Sequence, residues 1–197
     1  MSVADVILAQ GDPTPDGTAV LVASLGADDH VVVAEAADGL VARRAVEAIP
    51  SLARIDVLAR PGAAPSVIDA LGRLAAVAPT DLRGEAVMRL LELLREEKRR
   101  GAPESAGNLL QIYEALGHTR DQRAAPALEE ELADPAAGKA PRVVVVQALV
   151  SIAAPSSRGV AMKARAELAA SPEAEVFEAE LRQELLLALD DAIARLP

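Results

Sequence analysis

One five-residue stretch, Ala70-Leu71-Gly72-Arg73-Leu74, limits what this chain can fold into more than any other feature, because relatives of it recur in both directions. Ala115-Leu116-Gly117-His118 and Ala148-Leu149-Val150-Ser151-Ile152 keep its small-large-small order, while Ala37-Asp38-Gly39-Leu40-Val41 and Ala188-Leu189-Asp190-Asp191-Ala192 are weaker copies. Their first alanines lie 33, 45, 33 and 40 residues apart. A unit of that length cannot bury its own apolar face, so neighbouring units must stack on it, and the spacing predicts an array of two-helix units.

Composition narrows the class. Of the 197 residues 51% are hydrophobic, yet there is one Phe, one Tyr and no Trp, so the core must be built from Ala, Leu, Val and Ile. Small aliphatic side chains let helices approach closely, whereas sandwiches and barrels lean on aromatic and β-branched residues in many short strands. The expected fold is all-α. A formal net charge of −10 argues against a nucleic-acid phosphate groove and against electrostatic attachment to anionic lipid. Without cysteine there is no disulfide framework, thiolate metal site or Cys nucleophile. No run approaches 18 apolar residues, so no membrane insertion is expected, and Met1-Ser2-Val3-Ala4-Asp5 lacks the charged start of a secretory signal. Cytoplasmic is the default location, although a chain trimmed of its signal peptide reads the same.

Helix starts can be read along the chain. Ser2 caps a short helix through Val3, Val6, Ile7 and Leu8 that stops at Gly11-Asp12-Pro13, giving an N-terminal arm or cap helix over residues 1–12. Thr14-Pro15-Asp16 offers a capping oxygen, a proline at the first helical position and an acid near the positive helix end. Asp28 and Asp29 can cap the next helix. The runs Val31-Val32-Val33 and Val143-Val144-Val145-Val146 are where a buried strand is the serious rival, since β-branched residues are poor helix formers; both lead without a turn into an Ala-rich unit, which favours helix.

A second pair is read over residues 48–59 and 66–77 and a third over 82–99 and 104–116, with Gly101 at the turn. The fourth covers 124–132 and 142–152, and the fifth 159–169 and 172–196, where Ser171-Pro172-Glu173 repeats the cap logic of Thr14-Pro15-Asp16. No Pro/Gly/Ser-rich tract is long enough to be a linker, so a single domain over 1–197 with about five antiparallel helix pairs is expected, closed by an acidic capping helix over 172–197.

Helix pairs of this length, the Ala-Leu-Gly-x-Leu core of the second helix and the Asp134-Pro135 turn after a first helix resemble the HEAT-repeat family and its bacterial HEAT-like relatives, from about Pro15 to Leu196. Armadillo-like, tetratricopeptide-like or irregular helical arrangements use the same residue types. The HEAT resemblance implies an α-solenoid whose second helices line a concave surface that binds other proteins. On those helices the residue before the first Ala and the residue three after it share one stripe. The stripe is Asp69/Arg73, Glu114/His118 and Gln147/Ser151, polar throughout. It is either an ordinary solvated helix face or a partner-binding ridge.

Other chemistry is poorly supported. Asp28-Asp29-His30 does not converge on a metal, and reads as a cap beside an exposed histidine. His118 follows the expected helix end at Gly117, where a cation meets the negative end of the dipole; with Asp121 it makes a conceivable base and orienter, but Thr119 carries no mark of an activated nucleophile. Glu129-Glu130-Glu131 is too acidic a stretch for a carboxylate pair to be singled out. Between Ser171 and Pro197 seven acids outnumber two bases, which either keeps the end of the array soluble or faces a basic partner. There is no Gly-rich phosphate loop.

The resulting expectation is a non-enzymatic interaction scaffold that binds another protein and needs no cofactor or metal. The alternative, again from resemblance, is a HEAT-like accessory subunit of a chromophore lyase or similar modification enzyme. A helical-repeat DNA glycosylase is disfavoured by charge and by the lack of aromatic residues to hold a flipped base.

Overall fold

A computed structural model describes residues 2–102, 105–134, 139–154, 156–170 and 176–196. Among the described residues every regular element is a helix: α1 (Val3–Gly11), α2 (Pro15–Ser24), α3 (His30–Ala42), α4 (Ile49–Ala53), α5 (Ala64–Val77), α6 (Thr80–Arg100), α7 (Ser105–Thr119), α8 (Ala125–Ala133), α9 (Lys139–Ile152), α10 (Ser157–Ala170) and α11 (Val176–Arg195), with short 3₁₀ turns at Val46–Ala48 and Gln122–Ala124. The fold is all-α, built from antiparallel helix pairs. Both valine runs are helical. Asp29 accepts the Val31 N–H and so starts α3 ahead of the first run, while in the second Val143, Val145 and Val146 are buried in α9. Burial on a helix face thus outweighs the modest helix penalty of β-branched residues.

The chain divides into two compact units, Met1–Ala115 and Leu116–Pro197. In unit 1 a second row of helices, α1, α3 and α5, is held together by α1–α3 and α3–α5 packing, with α2, α4 and α6 set against it. The N-terminal part of α7 continues that row, since Gly72 lies directly on Ala115. In unit 2 α8 packs on α9 and α10, and α11 packs on α9 and α10.

The recurring unit works as an interlock. A Cβ on Gly72 would sit 2.6 Å from the Ala115 carbonyl oxygen and 2.7 Å from its Cα, and a Cβ on Gly117 would sit 2.8 Å from the Ala148 Cα. The glycine of one copy therefore rests on the first alanine of the next, once in each unit, at distances no side chain tolerates. Ala70, Leu71, Leu74 and Ala115 are buried around the first contact and Leu116, Ala148 and Leu149 around the second. Each fully buried leucine contributes roughly 1.5–3 kcal/mol of transfer free energy. Gly39, in the weaker copy on α3, faces backwards onto Gln10 and Leu21 instead.

Chain ends of helices are tied by arginines. Arg43 donates to the carbonyls of Ala9 and Thr14, Arg60 to Ala27 at 2.8 Å, Arg83 to Ala75 and Ala78 at 3.1 and 3.0 Å, and Arg158 to Leu196 at 2.9 Å. These bonds fasten the turns and helix ends of one part of the chain to another. Arg44, Arg120 and Ala153 turn left-handed just after α3, α7 and α9, so these three helices end alike without a glycine.

Several boundaries differ from the sequence expectation for local reasons. The helix expected over 48–59 stops at Ala53, because Asp56 Oδ1 accepts the N–H groups of Leu58 and Ala59 in a turn that competes with the helix. Thr14 occupies the N-cap of α2 without using its hydroxyl as a cap; Asp12 accepts the Thr14 N–H instead. α7 runs past Gly117 to Thr119, whose hydroxyl donates to the Leu116 carbonyl at 2.6 Å and accepts from Asp121 N, so His118 lies within the helix and not beyond its end. The proposed cap at Ser171-Pro172-Glu173 and the proline of Asp134-Pro135 lie outside the described residues.

Candidate functional site

The second-row helices of unit 1 bury one stripe and leave the opposite stripe polar. On α5 that stripe carries Ser66, Asp69 and Arg73, and on α7 Gln111 and Glu114; one helical turn separates each residue from the next. Asp38 on α3 joins them, receiving a hydrogen bond from the Ser66 hydroxyl at 3.4 Å. Together with Pro65, the side chains of Asp38, Ser66, Asp69, Gln111 and Glu114 line a cavity of about 280 Å³. Of the six stripe residues expected from the sequence, Asp69 and Glu114 therefore share one site. Arg73 is at its edge, reaching Asp69 at 3.5 Å with both side chains about half exposed, a geometry worth between nothing and about 1 kcal/mol.

The electrostatics of this cavity are lopsided. Glu35, Asp38, Asp69 and Glu114 bring four carboxyl groups to neighbouring turns of α3, α5 and α7, against the single guanidinium of Arg73. Burial between helices raises the Asp38 carboxyl above its ordinary range, and the nearby Glu35 and Asp69 carboxylates add to this; the Ser66 hydroxyl and Arg73 oppose it. Gln10 on α1 ties Glu35 in place, its Nε2 donating to the Glu35 carbonyl at 2.8 Å and to Oε2 at 3.3 Å. Gln111 Oε1 is buried without a donor.

Unit 2 uses the corresponding face differently. Gln147 and Ser151 line a cavity of about 240 Å³ with Val150, Ala188, Asp191, Ala192 and Arg195. Here charge is balanced on the spot, because Arg195 pairs with Asp191 and the Ser151 hydroxyl donates to the Gln147 carbonyl of its own helix at 3.0 Å. On the same α11, Asp190 takes a two-pronged grip from Arg165 at 2.8 and 3.0 Å, which lowers the Asp190 carboxyl below its usual range. His118 is exposed on α7 one turn beyond Glu114 and lines neither cavity.

The remaining chemical candidates have structural duties. The His30 ring lies against Gly62, where an added Cβ would meet it at 2.4 Å. Asp121 accepts from both ends of the Arg123 guanidinium at 2.8 and 2.6 Å, and Glu129 accepts the hydroxyls of Ser156 and Ser157, fixing the start of α10. Among the described residues no group of three or more His, Cys, Asp or Glu is placed to hold a metal ion, and no helix is long and apolar enough to cross a membrane.

Asp38, Ser66, Gln111, Asp191 and Arg195 were not among the residues expected from sequence. Ser66 and Gln111 sit three before Asp69 and Glu114, so extending the stripe one turn towards the helix start would have found them. Asp38 escapes because the register mark on α3 is displaced: counting from Ala37 selects the buried Ala36 and Leu40.

No protein-family model matches the chain, and no curated protein matches it. Among solved structures, that of human deoxyhypusine hydroxylase in complex with glycerol is similar over 96% of this chain and 88% of its own, at 17% identity and a TM-score of 0.34. The expectation that this chain is not an enzyme is corrected on that finding: the matched structure is that of an enzyme, and a non-enzymatic role is no longer assigned. A match this distant transfers neither activity nor catalytic residues.

Proposed function

We propose that this chain is a HEAT-like helix-pair module that binds a partner protein on the exposed polar stripes of its second-row helices, those of Asp69, Arg73 and Glu114 in unit 1 and of His118, Gln147 and Ser151 in unit 2. One observation carries the reading: residues from helices more than thirty positions apart in sequence converge on a cavity in each unit, Asp38, Asp69 and Glu114 in one and Gln147, Ser151 and Asp191 in the other. A merely solvated face has no need of such convergence. Extended segments laid across successive helices gain affinity from many modest contacts, and the polar groups fix register.

Photo-crosslinking side chains at positions 69, 114, 147 and 151 test this directly, with exposed positions 92 on α6 and 130 on α8 as controls. The expected result is one shared crosslinked partner at the four stripe positions and none at the controls. Equal crosslinking at both sets would contradict the proposal.

A further inference from the structure

Resting on that reading of the stripe, we infer that the unit 1 cavity seats the cationic side chain of a lysine- or arginine-bearing segment, so that the partner is a basic peptide. Charge complementarity is the first argument. Asp38, Asp69 and Glu114 line a space of about 280 Å³, enough for a long aliphatic stem and its charged head, with Glu35 one turn from Asp38 and Arg73 the only cation on these turns. The second argument is independent of charge. Gln111 stands in the wall of the same cavity with a buried Oε1 that has no donor, a state proteins rarely leave uncorrected. An entering N–H donor that reached this oxygen would satisfy it. An ammonium or guanidinium brings several N–H donors and no acceptor, matching a site with carboxylates and an amide oxygen.

Other chemistries fit less well. The carboxylates are not placed to ligate a metal ion. Four acids would repel a phosphate or an acidic peptide. The larger opening of about 670 Å³ along α2, lined by Pro13, Thr14, Pro15, Val22 and Glu47 among others, is apolar and has nothing to specify an occupant. In unit 2, Arg195 already neutralises Asp191 at the comparable place.

The test is fluorescence anisotropy of the full chain with a fluorescein-labelled octapeptide of alternating Gly and Lys, alongside the same peptide with every lysine acetylated. Two charge-matched triple variants are compared: Asp38→Asn/Asp69→Asn/Glu114→Gln in unit 1, and Glu130→Gln/Glu184→Gln/Asp190→Asn in unit 2, away from its cavity, each checked for folding by thermal melting. The wild type should bind the lysine peptide and not the acetylated one; the unit 1 variant should lose about tenfold or more in affinity, the scale of one charge-assisted contact, and the unit 2 variant less than about threefold. Equal loss in both variants would show attraction by net charge alone and overturn the inference. So would absence of binding to the wild type; if stripe-specific crosslinking persists in that case, the docking reading stands and only the cationic occupant falls, whereas loss of both removes both.

Discussion

The two units are built by one rule and finished by two. In each, a glycine of the recurring unit rests on the first alanine of the next, Gly72 on Ala115 in unit 1 and Gly117 on Ala148 in unit 2, and leucines close around the contact. The polar faces then diverge. Unit 1 gathers carboxylates from three helices, with a weak Arg73–Asp69 ion pair at the edge, while unit 2 pairs Asp190 with Arg165 and Asp191 with Arg195. Helix packing is therefore indifferent to what the stripe carries, and the units differ in how their polar faces balance charge.

The largest effects should come from breaking what the units share. Gly72→Ala and Gly117→Ala each gain about 1 kcal/mol of helix propensity, yet each places a methyl group within 3 Å of backbone atoms that cannot swing aside. Overpacking of this kind costs about 1–3 kcal/mol, so urea denaturation should show both variants less stable than wild type, Gly72→Ala by the larger margin because it meets a carbonyl oxygen as well as a Cα. A neutral or stabilising outcome at either position would mean that the interlock is looser than these distances require.

Smaller and opposite in sign are the pH effects expected of the two faces. Asp38 has a raised carboxyl pKa in the folded chain, so its ionisation opposes folding: the cost is absent below the unfolded pKa and fully present above the folded one. Asp38→Asn should thus raise Tm slightly at pH 7, and the advantage should fade as pH falls through the carboxylate range. Asp190 is the reverse case. Its pKa is lowered by the Arg165 hydrogen bonds, so its contribution is present above the unfolded pKa and is lost as pH falls through the folded one. Asp190→Asn should lower Tm slightly at pH 7 and make no difference in acid. Melting curves of both variants between pH 3 and 7 check the pair; shifts of the same sign would erase the contrast.

Most of the fold was legible in the sequence because the interlock is itself a sequence pattern. Ala-Leu-Gly places the two smallest residues where backbones meet, and its recurrence reports the stacking. Ser2, Asp29 and Gly101 terminate helices as their chemistry requires: Ser2 forms a reciprocal capping box with Asp5, and Gly101 takes the left-handed turn after α6. What escaped was set by competition between local interactions. Asp56 cuts α4 short through a side-chain turn, and Thr119 carries α7 past a glycine that serves packing instead of termination. The site was half legible. Register arithmetic pointed to Asp69 and Glu114, which line one cavity, and to Gln147 and Ser151, which line another, but could not show that Arg195 and Arg165 settle the charges of Asp191 and Asp190, since those pairs join residues by helix geometry and not by the repeat. Composition also offered no ground for excluding catalysis, which depends on a few side chains that overall counts do not register.

The most direct measurement is a ¹H–¹⁵N NMR titration of the full chain with the unlabelled Gly-Lys octapeptide, following backbone amides and the Gln111 side-chain amide. A cationic side chain seated in unit 1 should shift the signals of Asp38, Ser66, Asp69, Gln111 and Glu114 in saturable fashion, with the Gln111 amide moving most, while Gln147, Ser151 and Asp191 stay in place. Shifts spread evenly over the acidic surfaces of both units, or an unmoved Gln111, would contradict the account.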